Sequence, residues 1–286
     1  MVIELTSRLA KVVGRALAAG VLAAGVLTVQ AAPVTTLGTW YGTDGTDGTL
    51  QGRDINGNPV PLLVESGAPN PAAVFLYDTV LKVTWYNYDP GVMSWTSAND
   101  WAGALTVGGS TNWRLPEVKP VNGSSFQYDL SLTGTTDNGY NVGAPGSLYA
   151  GSTASELAHL WHMTLGNPTR YDESGNQRSI GDWGLVNTGP FQNLQFSRYW
   201  SGTDYGPDPD NHAWFFGTGF GDQHFTSTST FTSKSSEYYV LAVRRGDVVA
   251  AAVPEPRPLA LALFGLAALW LAGRWRPPRG SGASKA

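Results

Sequence analysis

Trp95-Thr96-Ser97-Ala98-Asn99-Asp100-Trp101-Ala102, and after it Asn112-Trp113-Arg114-Leu115-Pro116, is the stretch on which the reading of the fold turns. Trp95, Ala98, Trp101, Ala102 and Leu105 recur at helical spacing, with Ser94 or Thr96 as N-cap and Gly108-Gly109 as the stop. This predicts one amphipathic helix of about ten residues. The second piece puts a large apolar ring and a guanidinium at a turn. There the fixed fork of Arg114 donors can satisfy several carbonyls or a buried carboxylate. Both side chains are therefore expected to be structural, and so are Trp85, Trp95, Trp101, Trp200 and Trp214.

Outward from this centre, Val74–Tyr77 and Leu81–Tyr86 are β-rich runs arranged like a hairpin. Tyr199–Gly202, Ala213–Phe216 and Tyr238–Arg244 read as three further strands. A second helix is expected from Ala154 to Leu165, with Thr153 and Glu156 as a capping box and Gly166-Asn167-Pro168 as its stop. Residues 32–72 are rich in Gly, Pro, Asn and Asp without periodicity and read as a leader loop. The expected fold class is α+β: two helices, a small antiparallel sheet and long loops forming one domain over residues 73–247.

The two ends of the chain read as addresses. Arg8, Lys11 and Arg15 precede an apolar stretch from Ala16 to Val29, and Val29-Gln30-Ala31 offers small residues to signal peptidase, so residues 1–31 read as a signal peptide. At the other end, a linker over 248–258 contains Val253-Pro254-Glu255-Pro256. An apolar segment over 259–273 follows, then a basic tail over 274–286 with Arg274 and Arg276. The 15 residues from Leu259 to Gly273 would span roughly 22 Å as a helix, short of a ~30 Å hydrocarbon core. That suits a transient anchor with its arginines on the cytoplasmic side. Motif, span and arginines in this order resemble the PEP-CTERM sorting signal. The resemblance implies processing by exosortase in a Gram-negative cell that makes extracellular polysaccharide, and passage through an inner-membrane intermediate to the surface or matrix.

A second resemblance covers roughly 170 residues. Trp95-Thr96 with Ala98–Ala102, then Asn112–Pro116, Tyr199–Thr203, Ala213-Trp214 and Ala242-Val243-Arg244 resemble the Lcl C-terminal domain family. This implies a C-type-lectin-like domain similar to the sulfatase-modifying-factor branch, with ligand sites on a loop-rich face. Catalysis by cysteine, as in formylglycine-generating relatives, is excluded because the chain has no Cys. The iron-dependent relatives need a histidine cluster, and only four His exist, of which His159 and His162 lie on the second helix with Glu156 before them. Nucleophile-elbow, phosphate-loop and HExxH motifs are absent. The chain is expected to bind rather than catalyse.

Two loops offer oxygen ligands. Asp54, Asn56 and Asn58 alternate, and Glu65 falls where an EF-hand places its last ligand, so calcium is the one cofactor the sequence entertains. Pro59 stands where that loop needs glycine, which favours a turn-rich linker. Asp204, Tyr205, Asp208, Asp210, Asn211 and His212 form a Pro-Gly loop between strands and are the expected ligand contacts, with Trp214 beneath. Residues 33–252 carry 10 Lys and Arg against 20 Asp and Glu, a formal charge of −10. This argues against nucleic acid as a partner and toward neutral or cationic polysaccharide unless calcium intervenes.

Overall fold

The computed structural model describes residues 40–41, 48–230 and 232–248. The proposed signal peptide, the Pro-Glu-Pro motif with Val253, Pro254, Glu255 and Pro256, the apolar segment over 259–273 and the tail with Arg274 and Arg276 lie outside the described residues. Among those described, no helix is long and apolar enough to cross a membrane.

In chain order the elements are β1 (Leu50–Arg53), β2 (Pro59–Val60), β3 (Phe75–Asp78), β4 (Val83–Tyr86), β5 (Val92–Met93), α1 (Trp95–Ala104), β6 (Leu130–Ser131) and β7 (Asn138–Tyr140). Then come α2 (Glu156–His159), continued by a π-helical turn over Leu160–Thr164, β8 (Arg198–Asp204), β9 (Ala213–Gly217), β10 (Asp222–Phe225), a 3₁₀ turn over Thr228–Thr230, β11 (Tyr238–Tyr239) and β12 (Val243–Arg245). The fold class is α+β, dominated by sheet. The strands form two sheets rather than the single small one expected: β12-β4-β3-β1-β2 and β5-β11-β8-β9-β10-β7-β6. The first is antiparallel throughout, whereas the second contains the parallel pairs β8/β11 and β6/β7. The run expected as one strand over Tyr238–Arg244 is two, because at Val240-Leu241-Ala242 the chain leaves the second sheet for the first.

The leader-loop reading of residues 32–72 is corrected. β1 sits inside the first sheet, paired with β3 from Leu50↔Asp78 to Arg53↔Phe75, and Trp40, Leu50 and Leu62 are core side chains. Glycine misled here: Gly52 is where β2 crowds β1, and a Cβ would lie 2.4 Å from the Val60 carbonyl oxygen. Arg53 also clasps Asp247 at 2.6 Å, so the start and end of the domain are joined.

Helix α1 agrees with its sequence signals. Ser94 caps it, accepting from the Ser97 N–H, and Ala98 and Ala102 face the core. Trp95 and Trp101 are only half-buried, whereas Trp85, Trp200 and Trp214 are fully enclosed. Helix α2 departs from the expected capping box. Its cap is Ser155, which accepts from Ala158 N–H. The Glu156 carboxylate instead receives Arg114 in a two-pronged contact at 2.7 and 2.8 Å, plus the Glu117 N–H at 2.7 Å. Burial opposes the Arg114 charge, but the Glu156 bond and charge outweigh it and raise its pKa. Trp113 stacks on Phe75 at 5.7 Å between ring centres, as a buried scaffold residue should.

The π turn closes through Leu165 N–H to the Leu160 carbonyl. It inserts Trp161 and His162 into the core against Phe216. Burial, then the neighbouring His159, depress the His162 imidazole to about 3.

Two expectations follow. Arg114→Met should destabilise the protein by about 3 kcal/mol, because it strands a buried carboxylate, and the double variant with Glu156→Leu should recover a large part of that loss. Urea denaturation of the four proteins measures it. For His162, the unfolded state gains its proton below about pH 6.5 while the folded state refuses it down to about 3, so stability is lost as pH falls through that window. The loss should be roughly 2 kcal/mol between pH 7 and pH 5, and His162→Gln should flatten that slope in a pH series of melts.

Candidate functional site

Because side chains on a strand alternate between faces, one face of the second sheet collects Asn138 and Tyr140 from β7, Asp222 and His224 from β10, Phe215 and Gly217 from β9, and Arg198 from β8. The opposite face sends Trp214 and Phe216 inward. Register aligns Tyr140, Asp222, Gly217 and Arg198 in one row across four strands. These residues floor a cleft of about 820 Å³, within the range of small-molecule sites.

Gly217 makes the low point of the row. A Cβ there would meet the Asp222 Oδ1 at 2.2 Å, so the carboxylate leans over the glycine toward Arg198. Asp222 is 8% exposed. Its Oδ2 lies 3.1 Å from His224 Nε2, and its Oδ1 has no hydrogen-bond partner. His224 Nδ1 lies 2.6 Å from the Asn138 Oδ1. Because the Asn138 amide nitrogen is committed to the Tyr128 carbonyl, that oxygen is an acceptor and Nδ1 carries a proton. Nδ1 of His224 is thus committed within the protein, while Nε2 faces the Asp222 carboxylate. Tyr140 is raised above its ordinary pKa by burial and then by the Asp222 charge, so its hydroxyl stays protonated at neutral pH.

Aromatic rings wall the cleft. The Arg198 guanidinium lies 5.1 and 5.5 Å from the ring centres of Phe215 and Tyr238, which meet edge to face at 5.2 Å, and Arg198 donates to the Tyr238 hydroxyl at 3.1 Å. At the rim Phe196 and Phe220 are 60% and 40% exposed, 6.2 Å apart, with Trp183 stacked on Phe220. Gly219 lets Phe196 lie flat, since a Cβ would come within 2.7 Å of its ring.

The loop expected to bind ligand is largely knitted to itself. Lys234 holds Asp204 at 2.5 Å and also the Pro209 carbonyl, while lying 3.7 Å over the Trp95 ring. Tyr205 stacks on Phe225 at 4.0 Å, above a buried Trp214. His212 is buried, bonded to Thr226 Oγ1 and near Asp208, which Asn211 also contacts. Asp208, Asn211 and His212 border a shallower hollow of about 480 Å³, and Asp210 is exposed.

The other oxygen loop is a hairpin turn. Asp54 Oδ1 accepts from Asn56 and Asn58 N–H and Oδ2 from the Asn58 amide, and these bonds, Asn58 foremost, lower its pKa. Asp172-Glu173-Ser174-Gly175-Asn176 repeats the arrangement bond for bond, with Gly57 and Gly175 both at positive φ. The pattern is a recurring Asx-turn solution. Glu65 is exposed on the next turn. Among the described residues no three His, Cys, Asp or Glu side chains converge as a metal site.

No protein-family model matches the chain, and no curated protein or solved structure matches it. Sequence reading missed the cleft because its polar members are spread over four strands, and β7 and β10 are short and interrupted by glycine or polar residues. The alternation Asp222-Gln223-His224-Phe225 was the available signal.

Gly217→Ala should displace the Asp222 carboxylate and destabilise the protein by roughly 1 to 3 kcal/mol. It should also shift the His224 ring signals in an NMR titration, whereas Gly103→Ala, which meets nothing within 4 Å, should do neither.

Proposed function

We propose that the chain is an exported, exosortase-sorted protein of the cell surface or extracellular matrix, whose C-type-lectin-like domain binds saccharide in the sheet-face cleft without turning it over. The observation that supports the reading most is the pairing of an exposed aromatic rim, Phe196 and Phe220, with a row of hydrogen-bonding groups on a rigid sheet floor. Sugar rings present an apolar face to an aromatic and their hydroxyls to polar partners, which matches such a site. The tail supports the sorting half of the proposal: a turn-forming Pro-Glu-Pro, a span too short for a permanent anchor, and terminal arginines.

Calorimetry of the purified protein against extracellular polysaccharide fragments should show binding that Phe220→Ala weakens about tenfold, at roughly 1.4 kcal/mol per decade. Asp208→Ala should leave it unchanged. Absence of binding to every fragment would favour a purely structural envelope role. Mass spectrometry of exported material should find no peptide C-terminal to the Pro-Glu-Pro motif, and intact C-terminal peptides would overturn the sorting half.

A further inference from the structure

We infer that the cleft selects acidic sugars, taking the carboxylate of a hexuronate on Arg198 and a ring hydroxyl on Asp222. The inference rests on the saccharide reading above and deepens it.

It begins with how cations are spent in an acidic domain. Arg53, Arg114, Lys119, Arg178, Lys234 and Arg245 all lie within 4 Å of a carboxylate. Lys82, Arg170, Arg198 and Arg244 make no such pair among the described residues, and of these Arg198 alone borders the cleft. It is solvent-exposed at the start of β8, and its guanidinium rests against Phe215 and Tyr238. One bond, to the Tyr238 hydroxyl, is the guanidinium's only hydrogen bond among the described residues. The remaining edge of the fork is open, and a guanidinium fork fits a carboxylate in two-pronged fashion.

Two strands away in the same row stands the complement. The Asp222 side chain is 12% exposed and its Oδ1, leaning over Gly217, lacks a donor. Its Oδ2 lies 3.1 Å from His224 Nε2. An orphaned acceptor of this kind is costly until a ligand donates to it. Strands lie about 4.8 Å apart, so Arg198 and Asp222 stand roughly 10 Å apart across the bare backbone of Gly217. A sugar ring bearing a carboxylate at one end and hydroxyls at the other satisfies both. A neutral hexose leaves the guanidinium unmatched, and an amino sugar meets it as a like charge. Glu237 also borders the cleft and, solvent-exposed like Arg198, opposes an anion there. Arg198 thus offers an anion a contact point in a domain whose net charge on its own points to neutral or cationic glycans.

The test is calorimetry of the full-length protein with galacturonate and guluronate oligomers against glucose and galactose oligomers of equal length. Hexuronates should bind at least tenfold tighter, and the gap should shrink as salt rises. Arg198→Gln should weaken hexuronate binding about 10- to 100-fold, the scale of one charged hydrogen-bonded contact, while moving neutral oligomers less than twofold. Arg198→Lys, which keeps the charge and loses the fork, should fall between, and Glu237→Gln should strengthen hexuronate binding. Melting curves and circular dichroism confirm that each variant is folded. Equal affinity for both sugar classes, or an Arg198→Gln effect common to both, would overturn the acidic preference while leaving the saccharide cleft standing. Binding that ignores both Arg198→Gln and Phe220→Ala, or no binding at all, would remove the cleft reading and this inference together.

Discussion

The bond between Arg114 and Glu156 is the contact on which the architecture hangs. The Arg114 backbone pairs with Val243 in both directions at 2.8 Å, which seats it beside the first sheet. Its side chain crosses to the first residue of α2, where the Glu156 carboxylate also receives the Glu117 N–H. The following residues then fasten the second sheet: the Pro116 carbonyl accepts from Ser201 Oγ and Gly202 N–H, and Val118 exchanges bonds with Thr203. Five residues thus tie two sheets and a helix, and a charged pair does the tying in a chain that has no cysteine to do it covalently. Such a pair adds little net stability over a hydrophobic substitute. What it supplies is direction, since the fork accepts the carboxylate in one geometry only.

The cleft is a consequence of that framework. β9 is buried along its whole length, with Phe216 packed on Trp161 and Phe215 on Tyr238. A strand fixed on both faces holds the row Tyr140, Asp222, Gly217, Arg198 as a rigid surface, which the proposed ligand would have to fit as it stands. The aromatic layer beneath, Trp214 with Phe126, Tyr128 and Phe225, reaches from the floor to the Asp204–His212 loop.

Much of the scaffold was legible in the sequence. The hairpin of β3 and β4, the α1 helix with its Ser94 cap, and the structural role of Trp113 and Arg114 follow from periodicity, capping and donor inventory. Elements whose evidence is purely tertiary were not. β1 looks like loop because Gly52 answers to a backbone neighbour and not to local propensity. Glu156 looks like half of a capping box, since the partner that claims it lies 42 residues away. The cleft is invisible for a related reason: Asp222 and Arg198 meet only through strand register, and no local pattern encodes register between distant strands.

Closure of the first sheet has a kinetic consequence. β12 joins β4 at the far end of the domain, and the Thr84 hydroxyl bonds to the Gly246 carbonyl across a separation of 162 residues. Hairpins such as β3/β4 can form early and locally, but the sheet cannot be completed until the last strand is delivered. Contacts of such long range slow folding. A chain emerging from its N-terminus would hold an open β4 edge throughout, shielded from wrong pairing only by the speed with which its end arrives.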